Sequence, residues 1–78
     1  MKVFVSELYD WNIAGTTLLG VFGTVGRAQQ AGTHFIQGMG HSDINLEDFD
    51  YLEGTFTFYY NNGFTLTVTE VEIDEEPE

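Results

Sequence analysis

The chain has 78 residues, no cysteine, and thirteen acidic side chains against two basic ones, for a formal net charge of −11. A chain this short forms one thin-cored domain with no disulfide to staple it, and its charge disfavours direct contact with nucleic acid or anionic lipid while favouring basic surfaces. Hydrophobic residues at 42% and aromatics at 15% argue against a disordered chain in spite of the acidity.

Met1-Lys2-Val3-Phe4-Val5-Ser6-Glu7 does not read as a secretory signal, because acids follow the short apolar run at once. No apolar stretch approaches the ~18 residues a membrane-spanning helix needs. The expected location is the cytoplasm, which the lack of cysteine fits.

Lys2 to Trp11 carries apolar residues at both parities, the pattern of a strand inside a sheet. A turn through Asp10–Gly15 leads to a second strand, Thr16 to Phe22, in which Gly20 suggests a bulge or a close contact. Thr24 is a candidate N-cap for a helix whose apolar face carries Val25, Ala28, Ala31 or Gly32, Phe35 and Ile36. Small residues on that face would bring the helix close to the sheet, and Gly38-Met39-Gly40 should end it. Leu46, Phe49 and Leu52 recur at three-residue spacing and predict a short second helix over 46–53, closed by Gly54. Thr55–Tyr60 and Phe64–Ile73 then alternate threonines with apolar residues around Asn61-Asn62-Gly63, a strong hairpin signal because Asn and Gly tolerate positive φ. Apolar parity switches within the last strand, from Phe64, Leu66 and Val68 to Val71 and Ile73. Either a bulge near Thr69 brings both sets to the core and splays Glu70 and Glu72 outward, or the strand end leaves the sheet. The predicted class is α+β, an antiparallel sheet in the order β-β-α-(α)-β-β with its helices on one face, in a single domain over 1–78 whose residues 74–78 fray.

No catalytic or cofactor constellation emerges. Gly20-x-x-Gly23-x-x-Gly26 matches neither the dinucleotide fingerprint nor the P-loop, and its glycines read as structural. Asp43-x-Asn45-x-Glu47 opens like a calcium loop but lacks the glycine and the closing acid at the required positions. His34 and His41 have no cysteine partners for zinc; they fit a helix flank and a solvated loop. Ser42 beside His41 makes no triad. The chain is expected to be no enzyme and to need no cofactor or metal.

Charge is the functional signal. Asp43, Glu47, Asp48, Asp50 and Glu53 would line or flank the exposed row of the second helix, and Glu70, Glu72 and Asp74 alternate on one face of the last strand. Strand carboxylates two residues apart sit ~7 Å from one another, close to twice the ~3.4 Å phosphate step of a DNA strand. Tyr51, Tyr59 and Trp11 are candidate aromatic anchors at an interface, with Trp11 the one best suited to the core instead.

In length, absence of cysteine, element order and the acids at Asp43–Glu53 and Glu70–Glu78, the whole chain resembles the small acidic anti-CRISPR proteins encoded by phages, above all inhibitors of type I systems. The resemblance lies in shape and charge, not in a motif, so no residue role carries over. It implies a stoichiometric inhibitor in the host bacterial cytoplasm that imitates DNA and occupies a basic channel of a surveillance complex. Inhibitors of restriction enzymes or DNA glycosylases that mimic DNA look the same at this level. A self-associating structural or accessory phage protein that pairs through an exposed sheet edge of the Thr-rich hairpin, and a small enzyme or metal-dependent module, are the rival classes.

Overall fold

The computed structural model describes residues 1–73. Strand β1 (Lys2–Asp10) and β2 (Gly15–Phe22) are followed by helix α1 (Val25–Gly38), β3 (Leu46–Leu52), β4 (Thr55–Tyr60), a short 3-10 turn (Asn61–Gly63) and β5 (Phe64–Glu72). The five strands form one antiparallel sheet in the order β2-β1-β5-β4-β3. The fold is α+β as expected, but with one helix, in the order β-β-α-β-β-β.

The predicted second helix is a strand. Register explains why three-residue spacing misled. A bulge at Glu47 places Leu46 opposite Tyr60 and Asp48 opposite Tyr59, so Leu46, Phe49 and Tyr51 share one face of the sheet while Asp48, Asp50 and Leu52 share the other. Glu53 and Gly54, at φ 47° and 84°, form the tight turn into β4, with the positive φ pair that a two-residue hairpin requires. Gly54 is left-handed as foreseen, but it closes a hairpin rather than a helix.

Helix α1 lies across β1, β2 and β5. Its N-cap is Thr24, whose Oγ1 accepts from Arg27 N at 3.2 Å, and it ends at Gly38 with Met39 as C-cap. The core is what the helix covers: Leu8, Ala28, Ile36, Phe58, Tyr60, Phe64, Leu66 and Val68. Gly32 makes the fit possible, since a Cβ there would stand 2.7 Å from Leu66 Cδ2. Ser6 is fully buried, and its Oγ donates to the Ala28 carbonyl at 3.0 Å, so β1 and α1 are also joined by a satisfied polar contact. Gly20, at φ 147° under the Phe22 ring, follows the bulge that shifts β2 against β1.

Pairing of β1 with β5 runs without a slip from Lys2↔Glu72 to Asp10↔Phe64. No bulge forms at Thr69. Strict alternation therefore leaves Glu70 and Glu72 on the helix side with Val68, and sends Val71 and Ile73 to the opposite side. Trp11 is not a core residue: it is 65% exposed at the end of β1, held by its N–H on the Gly63 carbonyl and its indole on Thr65. Leu52, expected inward, is 68% exposed.

Candidate interaction surface

The acids of 43–53 come together on the outermost strand. All seven residues of β3 are exposed, and among the described residues it pairs with β4 alone. An edge strand has a row of amides with no neighbouring strand, which ordinarily invites pairing with another chain. Here the carboxylates intervene: Asp48 Oδ1 accepts from Phe49 N at 2.8 Å and Asp50 Oδ1 from Tyr51 N at 3.0 Å. These two amides point away from β4, so the acids both charge the edge and occupy its donors. Asp48, Asp50, Glu47 and Glu53 form no ion pair among the described residues.

Among the described residues nothing packs over the sheet face opposite α1. Register arranges it into rows that run across all five strands. One row is Asp50–Thr57–Thr67–Glu7–Leu18, and the next is Asp48–Tyr59–Thr65–Tyr9–Thr16. The face thus has acids at the β3 rim, threonines in the middle, and Glu7 with aromatics on β1. Tyr59 stands in this surface, 41% exposed, next to Asp48.

The remaining candidates lie elsewhere. Tyr51 is on the helix side, its ring 4.6 Å from that of Phe56, beside Phe49, in a part of the sheet that α1 leaves uncovered. Glu70 and Glu72 are also on that side and are engaged: Glu70 pairs with Lys2 Nζ at 3.0 Å, and Glu72 with the N-terminal ammonium at 3.0 Å. The hydrogen-bonded Glu70 carboxylate raises the Lys2 pKa above its ordinary 10.5. Asp43 is a structural link, accepting from Asn62 through its carboxylate and from Asn61 through its carbonyl. Asp74 lies outside the described residues. The two acidic clusters therefore do not form one row: Asp48, Asp50 and Tyr59 share the open face, whereas Tyr51, Glu70 and Glu72 face the other way.

Glu7 and Tyr9 were not singled out from sequence, although their place beside Trp11 with the same parity as Val3 and Val5 is a legible signal. His41 is half-buried and packs edge-on to Phe64 at 5.1 Å instead of standing in a solvated loop, while His34 is exposed on α1. Among the described residues no group of three or more His, Cys, Asp or Glu side chains is placed to hold a metal ion, and no helix is long and apolar enough to cross a membrane. No protein-family model matches the chain, no curated protein matches it in sequence, and no solved structure matches it in fold.

Proposed function

We propose that the protein is a stoichiometric, non-enzymatic inhibitor that binds a basic nucleic-acid-binding surface of a host defence complex in the bacterial cytoplasm. Its first target to test is the DNA-recognition channel of a type I CRISPR surveillance complex. The observation that supports this most is the pair Asp48 and Asp50, two carboxylates without cations on an exposed sheet edge. Their two-residue separation on an extended strand is ~6.7 Å, about two phosphate steps of DNA. Cationic side chains set to grip the phosphates of a duplex find carboxylates at a comparable spacing on β3. Tyr59, on the same face, adds contact area that salt does not weaken. The field of a chain at −11 speeds encounter with a cationic groove, and this gain falls with ionic strength.

A purified surveillance complex, its duplex target and the protein at increasing ratio provide the test. Loss of duplex binding at one protein per complex, relieved by salt and absent with the D48K/D50K/E53K variant, is the expected result. Undiminished duplex binding at excess protein excludes that target. A salt-sensitive capture from lysate of a restriction enzyme, competed by duplex DNA, would move the same chemistry to that class of partner.

A further inference from the structure

Glu7 is an acid in an unexpected place. It sits mid-strand in β1, an interior strand, where glutamate is intrinsically disfavoured. It is half-buried, its lateral neighbours are Thr67 and Leu18, and it makes neither an ion pair nor a side-chain hydrogen bond among the described residues. Nothing in the packing explains a charge there.

Two aromatic rings adjoin it. Tyr9 and Trp11 follow Glu7 on the same face of the strand and meet with centroids 4.6 Å apart and planes at 77°. The rings meet edge to face, so the contact covers part of one π surface and leaves the rest of the pair to line one space. The Trp11 indole is fixed there by its Nε1–H, which donates to Thr65 Oγ1 at 3.0 Å. Glu7, Tyr9, Trp11, Thr16, Thr65 and Thr67 together line a concavity of about 370 Å³.

Two aromatic rings with a carboxylate beside them and threonine hydroxyls in the same concavity are the complement of a cation. Ring quadrupoles attract positive charge, the carboxylate supplies the counter-ion, and threonine oxygens accept the remaining N–H bonds. A planar guanidinium suits this better than an ammonium, since it stacks on one ring while its edge donates to the acid. We infer that this concavity is a seat for one arginine side chain of the partner protein. Its occupant is named on the strength of the proposed basic partner, but the seat itself is a property of this chain. Asp50 stands at the other end of Glu7's row, three strand spacings or about 14 Å away. A partner lying across the open face would meet β3 with its phosphate-binding cations and the concavity with a single arginine.

Trp11 is the chain's one tryptophan, so its fluorescence reports on the seat directly. The protein is titrated with N-acetyl-L-arginine amide at constant ionic strength, with the neutral isostere N-acetyl-L-citrulline amide as control. A saturable change in emission with a Kd on the order of millimolar is expected for arginine and none for citrulline; Glu7→Gln should weaken it about tenfold and Tyr9→Leu by a similar factor. An equal response to citrulline, or full binding by Glu7→Gln, overturns the inference. Tighter binding of N-acetyl-L-lysine amide overturns the guanidinium assignment. The titration uses no partner, so its failure leaves the proposed inhibition to be judged by DNA displacement alone. A surveillance complex blocked equally well by Glu7→Gln overturns the seat and leaves the function standing.

Discussion

The carboxylate of Asp50 folds back onto the backbone of the next residue, accepting from Tyr51 N–H at 3.0 Å, and Asp48 does the same for Phe49. The two roles of these acids, charge and amide capping, can be separated. An asparagine at either position keeps an oxygen for the amide and removes the charge. The D48N/D50N variant should therefore stay monodisperse in light scattering while losing at least tenfold in partner affinity. D48A/D50A loses both and frees two edge donors, so it should associate with itself as concentration rises. Self-association of the asparagine variant would show that repulsion, not capping, keeps the edge unpaired.

Gly32→Ala should be costly. The new methyl would stand 2.7 Å from Leu66 Cδ2 in a fully buried site, so the Leu66 side chain or α1 itself has to shift. Overpacking of this kind costs about 1–3 kcal/mol, and for a domain this size each kcal/mol lowers the Tm by about 4–8 °C. Gly26→Ala is the control on the same helix, because nothing lies within 4 Å of its Cβ position. It should raise the Tm, by up to about 1 kcal/mol of helix propensity. Thermal melts of both variants decide the matter, and equal effects would place α1 further from β5 than described.

The Lys2–Glu70 pair leaves a signature at alkaline pH. Glu70 holds the lysine pKa above 10.5, so its stabilisation is fully present below that pH and is lost as pH rises through the raised value. Lys2 is solvent-exposed, so the effect is small. The Tm advantage of the native chain over Lys2→Met should be constant from neutral pH to about pH 10 and shrink above it. An advantage that persists undiminished beyond that point would assign the effect of Lys2 to its aliphatic stem.

Salt should act in opposite directions on folding and on binding. Thirteen acids against two bases make the folded chain repel itself, and counter-ions relieve that repulsion. Sodium chloride raised from low concentration to about 0.5 M should lift the Tm while weakening capture of a basic partner. A Tm insensitive to salt would mean that the acids are far enough apart to ignore one another.

Much of the fold can be read from residues whose local chemistry agrees with their tertiary setting. Asn61-Asn62-Gly63 turns the chain as its composition requires, with positive φ at Asn62 and Gly63. Thr24 caps α1, and Gly32 lets it approach β5. β3 imitates a helical period because a single bulged residue, Glu47, brings Leu46 and Phe49 to one face at three-residue spacing, while Leu52 extends the pattern by being an exposed apolar residue on the other face. Glu70 and Glu72 were not placed, because parity decides their face and parity depends on whether the strand bulges. The cation seat was illegible for a different reason: Glu7, Tyr9 and Trp11 are adjacent in sequence, but Thr16, Thr65 and Thr67 come from two other strands and appear beside them only once the register is known.

The position of β3 at the exposed rim of the sheet also has a kinetic side. None of its residues is buried and α1 does not pack on it, so β3 can detach from β4 at the cost of the Phe49 and Tyr51 ring contacts with Phe56 and Phe58, while the β1–β5 pairing stays in place. Its amides belong to the first tier to exchange with solvent, well before global unfolding. The acids that would meet a partner are carried on the least anchored element of the sheet, free to adjust to a groove whose cations are spaced for a helical duplex, and engagement would register first as slowed deuterium uptake along 46–52.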